Sequence, residues 1–282
     1  MSCPHQTNYR AIEDSIHTDF KEDMSYGDYL CLEKILSAQH LQSDQHDEML
    51  FVIIHQASEL WLKLAGHELS AAMRYVKDGD FGNAFKVISR MKQIIRQLTQ
   101  SWDILSTLTP VDYLKFRDDL GHSSGFQSFG YRKIEFLLGN KNASLLKVHE
   151  SNPTVHSELK TILEQPSLYD EVITALHNKG LNIDAGALNR DVTLPYQSND
   201  SVVNAWLTIY QNPEQYFEYY ELAEKLVDIE DTIQQWRFKH MSTVMRIIGN
   251  KMGTGGSSGV DFLKKALDIS FFPELYTVRT KL

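Results

Sequence analysis

A chain of 282 residues with 42% hydrophobic content is long enough to bury a sizeable core in one large domain or two small ones. Its 28 lysines and arginines stand against 37 aspartates and glutamates, a formal net charge of -9, which counts against a nucleic-acid backbone or an anionic membrane and favours a small-molecule substrate. Two cysteines, Cys3 and Cys31, neither in a CxxC, support no disulfide framework and no cysteine-ligated zinc. With no apolar leader in residues 1–20 and no run of about 18 apolar residues, a cytoplasmic protein is expected.

Apolar residues recur at spacings of three and four along almost the whole chain, which predicts an all-α fold. Residues 1–43 are polar and irregular apart from a short amphipathic segment around Tyr26 to Ala38, the pattern of an arm that is either disordered or laid across a partner subunit. Residues 44–282 are expected to form the main domain. Its first helix should run from near Asp44 to about Tyr75, with Asp47 and Glu48 in the turn where negative charge suits the helix dipole. Its core stripe is Phe51, His55, Ser58, Leu62, Ala65, Leu69. A second helix is expected over about Asn83 to Leu105. Thr109-Pro110 then supplies an N-cap and a proline at the first helical position, opening a short helix through about Asp118.

Gly121 to Gly125 reads as a loop, and Gly139-Asn140 as the stop of the next helix. Residues 141–200, with Pro153, Pro166, Gly180, Gly186 and Pro195, read as shorter helices and connections. Asn212-Pro213 is a start signal after which neither Gly nor Pro intervenes until Gly249, so one very long helix is expected. A Gly-rich loop, Lys251 to Gly259, leads to a last helix ending before Pro273. Long antiparallel helices with interior ligands point to a bundle-like domain.

The long helix carries the stripe Leu222, Leu226, Ile229, Ile233, Trp236, His240, Val244, Ile247, in which one position is a histidine. A buried imidazole needs a partner, since an unsatisfied buried polar group costs about 1 to 3 kcal/mol. The pattern alone leaves two readings: a core histidine bonded to a neighbour, or a proximal haem ligand. His55 poses the same question on the first helix. There is no HExxH, no CxxCH and no pair of ExxH motifs, so among metal-site readings non-covalent haem is the one left. Tyr113 and Arg117 lie i, i+4 on the short helix, and an arginine fork there could grip a carboxylate or simply pair with Asp118 or Asp119. Gly253 to Gly259, four glycines in seven residues, reads as a lid or as a flexible linker, and lacks the pattern of a phosphate loop.

Several segments in order resemble the tryptophan 2,3-dioxygenase family: YGDYL (Tyr26 to Leu30), HDEMLFVIIHQASELWLK (His46 to Lys63), LTPVDYLKFRDDLG (Leu108 to Gly121), SSGFQS, YRKIEFLLGNKN, WRFKHMSTVMRIIG (Trp236 to Gly249), KMGTGGSSG and FFPELYTVRT. The stretch from about Ala143 to Asp200 matches least. The resemblance implies a helical bundle-like domain around a non-covalently bound haem b, ferrous in the active state, with His240 as axial ligand of the iron. It implies His55 on the distal side, bonding the indole N–H, and Phe51 packing the indole ring. Arg117 would bind the substrate carboxylate with Tyr113 assisting, Thr254 would meet the ammonium and carboxylate end, and Ser124 and Gly125 would line the distal pocket. Tyr26, Tyr29 and Leu30 would reach into a neighbouring subunit of a homotetramer. The implied reaction inserts dioxygen across the indole C2–C3 bond of L-tryptophan to give N-formyl-L-kynurenine, the first step of the kynurenine pathway. Three rivals remain at this stage: a haem-binding sensor or carrier without catalysis, a cofactor-free helical scaffold, and an indoleamine-type dioxygenase of broader range.

Overall fold

The computed structural model describes residues 9–282, and every regular element among them is helical. The described chain divides into two units, one ending at His40 and the other spanning Leu41–Leu282. In the first, α1 (Tyr26–Leu30) opens on a capping box: the Ser25 hydroxyl accepts from the Asp28 N–H at 3.1 Å while the Asp28 carboxylate accepts from the Ser25 N–H at 3.2 Å. Cys31 then turns left-handed, with φ of 51°, and α2 (Leu32–Leu36) follows. The expected amphipathic segment is therefore two short helices broken at a residue whose conformation L-amino acids seldom adopt.

The second unit begins with α3 (His46–Asp78), which ends where Gly79 adopts φ of 73°, and α4 (Phe81–Leu105), capped by the Asp80 carboxylate. The series continues with α5 (Pro110–Phe116), α6 (Phe129–Leu138), α7 (Pro153–Leu163), α8 (Leu168–Asn178), α9 (Ala185–Leu188), α10 (Asp200–Gln211), α11 (Phe217–Ile248), α12 (Val260–Lys265) and α13 (Pro273–Lys281). Short 3-10 turns join several of them. Three boundaries differ from the sequence reading. The helix opened by Pro110 stops at Phe116, because a 3-10 turn over Asp118–Leu120 tightens the chain before Gly121. The long helix starts at Phe217 and not at Pro213, since Gln215 and Tyr216 both bond back to the Asn212 carbonyl and close a turn first. Pro273 does not only end what precedes it: as a first-turn proline it opens α13.

Helix α3 lies along α4, α4 along α11, and α3 also meets α6 and α8, while α10 packs on α13. The main core contains Leu62, Ala65 and Leu69 of α3, Ile88, Met91 and Leu98 of α4, and Leu222, Leu226 and Ile229 of α11. A second, smaller cluster holds Ile54, Trp102, Leu105, Leu108, Tyr113, Phe116 and Ile247. The two long stripes divide between them. Toward the main core they are buried, whereas Phe51, His55 and Ser58 on α3, and Trp236, His240 and Val244 on α11, are only half-buried, with Phe51 and Trp236 packed on the second cluster. The apolar packing of both stripes is looser at this end.

Buried charges fasten the rest. Arg237 of α11, 3% exposed, donates from Nη2 to Glu135 (3.4 Å), from Nε to the Tyr131 hydroxyl (3.1 Å), and from Nη1 to the carbonyls of Ala266 (3.0 Å) and Ile269 (3.1 Å). Arg132 completes the network on Glu135. Glu230 accepts from the N–H groups of Phe271 and Phe272, both at 3.0 Å, and fixes the approach to α13. Glu274, fully buried, accepts from the hydroxyls of Tyr169 (2.9 Å) and Tyr196 (2.6 Å) and from the Asn199 N–H (2.8 Å). Removing that carboxylate would strand three donors in or near the core. Glu274→Ala should lose roughly 2 to 5 kcal/mol of unfolding free energy; urea denaturation with an unshifted midpoint would take Glu274 out of the scaffold.

Candidate active site

The site forms where α3, α5 and α11 meet the second cluster. On α3, the His55 Nδ1 lies 2.7 Å from the Phe51 carbonyl one turn earlier. A carbonyl can only accept, so the hydrogen belongs on Nδ1 and the neutral ring keeps a lone pair on Nε2. Desolvation holds the imidazole below its ordinary pKa, opposed by the Phe51 carbonyl and by the charge of Glu59. His55 is therefore a neutral acceptor at neutral pH. Phe51 packs 4.2 Å from the His55 ring, and its ring also meets Tyr113 at 5.9 Å and Phe116 at 5.8 Å, giving one wall of aromatic faces.

On α11, His240 stacks on Trp102, ring centroids 4.5 Å apart and planes within 9°, with Trp236 at 5.4 Å. Lys239 pairs with Asp103 at 2.6 Å, and the Arg246 Nε–H donates to the Ser106 carbonyl at 3.0 Å, so this part of α11 is tied to the end of α4. Neither nitrogen of His240 has a hydrogen-bond partner among the described residues. Although the residue is half-buried by surface area, it lies deep among protein atoms: desolvation pulls its pKa down to about 4, and repulsion from the His55 imidazole when that ring is protonated pushes the same way.

That combination fits a haem. Among the described residues no group of three His, Cys, Asp or Glu side chains is arranged to hold a bare ion. A porphyrin brings its own four nitrogens and asks the protein for an axial ligand such as imidazole, which a neutral, unbonded His240 can supply. The Trp102 Nε1–H beside it is buried without an acceptor, the kind of orphan a bound group or water satisfies.

At the other end, the Thr109 hydroxyl caps α5 by accepting from the Asp112 N–H, and the helix then presents Tyr113 and Arg117 one turn apart. Burial raises the Tyr113 phenol above its usual pKa, against the opposing charge of Arg117 beside it. Arg117 donates from Nη2 to the Met252 carbonyl at 2.8 Å, while its Nε–H is buried and unpartnered. The Gly-rich loop is folded down onto this segment, with the Thr254 hydroxyl donating to the Ser123 carbonyl at 2.5 Å. The loop has internal order: Gly253 N–H donates to the Ser257 carbonyl at 3.1 Å and Gly256 N–H to the Gly253 carbonyl at 3.0 Å. Ser124 caps a 3-10 turn over Gly125–Gln127, and Gly125 is exposed.

The second unit thus gathers His55, Phe51, Tyr113, Arg117, Ser124, Gly125, Thr254 and His240 around the second cluster and the loop over it. Tyr26, Tyr29 and Leu30 lie on α1 of the first unit, each tyrosine 74% exposed. A separate groove of about 620 Å³ lined by Glu230, Phe238, Asp268 and Tyr276 holds none of the expected residues. Sequence reasoning missed two others. Trp102 continues the α4 stripe Ile88, Met91, Ile95, Leu98, a 3-4 spacing that could have marked it. Glu59, one turn past His55, accepts from the Ser128 hydroxyl (2.5 Å) and the Gly130 N–H (3.3 Å), pinning the start of α6 to α3. A Cβ on Gly130 would stand 2.8 Å from Leu62 Cβ, so that close approach requires glycine.

A family model described as tryptophan 2,3-dioxygenase matches residues 12–282. A tryptophan 2,3-dioxygenase of Shewanella woodyi is 74% identical, with all of both chains covered. Those of Exiguobacterium sibiricum and Bacillus thuringiensis are each 56% identical, covering 98% and 96% of this chain and 99% and 97% of their own. On a match that runs through both long helices, the loop and α13, this chain belongs to the tryptophan 2,3-dioxygenase family.

Proposed function

We propose that the chain inserts both atoms of dioxygen across the indole C2–C3 bond of L-tryptophan to give N-formyl-L-kynurenine, using a haem b held by His240. Membership of the family carries haem-dependent oxidation of tryptophan; the division of labour among residues is our reading. The observation that carries it is the pair of unused groups at the two ends of one site. His55 Nε2 is a free acceptor beside the Phe51 ring, and the Arg117 Nε–H is a buried free donor. An amino acid with an aromatic N–H at one end and a carboxylate at the other satisfies both.

Bound on His240, ferrous haem supplies the activation of dioxygen, whose triplet ground state reacts slowly with a closed-shell indole. The side chains orient and enclose. His55 accepts the indole N–H, Phe51 packs the ring, Arg117 grips the carboxylate with Tyr113 beside it, and Thr254 closes over the ammonium end, a proximity effect. Ser124 and Gly125 border the same space. Phe116 and Tyr113, both buried, keep water from the ring. Because His55 has a depressed pKa it is a weak base, and we assign it orientation and not obligatory proton removal. Both oxygen atoms end in the product, so no external reductant is consumed per turnover. The same reading includes a cytoplasmic homotetramer in which Tyr26, Tyr29 and Leu30 of one copy reach a neighbour's site; the exposure of both tyrosines supports it. Among the described residues no helix is long and apolar enough to cross a membrane.

Anaerobically reduced, haem-loaded protein given labelled dioxygen and L-tryptophan should yield a product carrying both labelled atoms, and His240→Ala should abolish it. Normal haem binding with tryptophan unchanged would leave a carrier or sensor instead. Arg117→Ala should weaken tryptophan binding by about 2 to 5 kcal/mol; unaltered affinity in calorimetry would remove Arg117 from the carboxylate role. His55→Ala should retain part of the turnover, and its complete loss with haem still bound would contradict an orienting role. Since only the neutral ring accepts the indole N–H, tryptophan affinity in the parent should stay level above the ordinary imidazole pKa of 6.5 and fall as pH drops through the lower pKa of the folded protein, a dependence His55→Ala should lack.

A further inference from the structure

Of the four glycines in the loop over the site, three serve the loop itself. Gly256 and Gly259 have φ of 85° and 65°, and a Cβ on Gly253 would meet Ser257 of the same loop. Gly255 is different. Its backbone lies outside the left-handed region, so its conformation does not ask for glycine. Space does: a Cβ there would stand 2.7 Å from Ser124 Cβ and 3.0 Å from Ser124 Oγ, closer than carbon atoms tolerate. Gly255 is thus the loop glycine pressed against chain outside the loop.

Contacts on either side of this point share its dependence on close approach. Met252 offers its carbonyl to Arg117, Thr254 bonds the Ser123 carbonyl, and farther on the Phe262 ring of α12 meets Phe126 edge-on at 5.4 Å. Beyond α12 the chain is anchored again, by Arg237 on the Ala266 and Ile269 carbonyls and by Glu230 on Phe271 and Phe272. The stretch between Gly249 and these anchors is internally bonded and docks as a unit on residues 117–126.

We propose that Gly255 and Ser124 form the seat of a lid over the amino-acid end of the substrate, with Gly255 as a positioning residue: its missing side chain lets the loop descend until Met252 and Thr254 reach Arg117 and Ser123. The proposal rests on the functional reading above. It makes Gly255 necessary without any contact to substrate, and it makes the cost of a side chain there depend on what stands at residue 124.

The test compares haem-loaded parent, Gly255→Ala, Ser124→Gly and the double variant by two readouts: kcat and KM for L-tryptophan, and the rate of trypsin cleavage after the exposed Lys251 without substrate. Gly255→Ala should raise KM by about tenfold or more, with a smaller change in kcat, and speed cleavage by a similar factor, the scale on which overpacking shifts an equilibrium. Ser124→Gly keeps a tolerated N-cap, and the double variant should return to the Ser124→Gly values in both readouts. A Gly255→Ala protein with parental cleavage and KM, or a double variant as impaired as the two single changes combined, would overturn the seat. If the parent converts no tryptophan, the functional reading fails, while the cleavage rates alone still decide for or against the seat.

Discussion

A guanidinium taken out of water must be paired on nearly every side, and Arg237 is. Four hydrogen bonds run from its nitrogens to Glu135, Tyr131 and two carbonyls beyond α12, and its face lies over the Phe271 ring at 4.9 Å. Breaking one partner of such a buried pair costs far more than exposed pairs contribute. The network therefore fixes α11 against α6 and against the segment leading to α13, in rotation as well as position. His240 lies three residues along the same helix, so the direction of its imidazole is set by a charge that plays no part in the chemistry. Tyr131 also meets the Trp236 ring, tilted at 5.0 Å between centroids, and burial keeps its phenol protonated so that it remains a partner and not a second charge.

The all-α architecture and the long helices were legible because apolar periodicity is a local property: stripes, caps and breakers all lie within a turn or two of each other. The site was legible in part for the same reason. His55 and His240 stood out as polar interruptions of apolar stripes, and Tyr113 with Arg117 as neighbours one turn apart. Their joint meaning came from the resemblance, since periodicity alone left each histidine open to a packing role. What was illegible depends on pairs distant in sequence. Glu59 reads as a surface acid until Ser128 and Gly130 arrive beside it, and Trp102 reads as one more core aromatic until its ring is found flat on His240. Pro273 was read as a stop, although a proline suits the first turn of a helix equally well; the deciding fact is Glu230, more than forty residues earlier, holding the preceding backbone N–H groups.

Rigid and adjustable parts of the site are built from different materials. The wall that would hold the ring consists of side chains on helices, with rotamers locked by stacking and by the Phe51 carbonyl. The end that would hold the carboxylate is closed by loop backbone, through single hydrogen bonds on exposed or half-exposed atoms. Precision is thus greatest on the side that would align an indole, and compliance greatest on the side where, on the proposed reading, a substrate would enter and a product leave.

One consequence follows from the way α11 passes from the large core to the small cluster. Its backbone ladder is continuous over 32 residues, but the apolar packing that resists opening is not. The Gly249 end lies just past buried Ile247, and between Ile247 and Arg237 only Thr243 is buried. Local unfolding that began at Gly249 would have to break the Arg246–Ser106 and Lys239–Asp103 ties before it reached the Arg237 network, so amide exchange along this single helix should slow in steps toward residue 237. The turn bearing the imidazole belongs to the yielding half of an otherwise immobile rod.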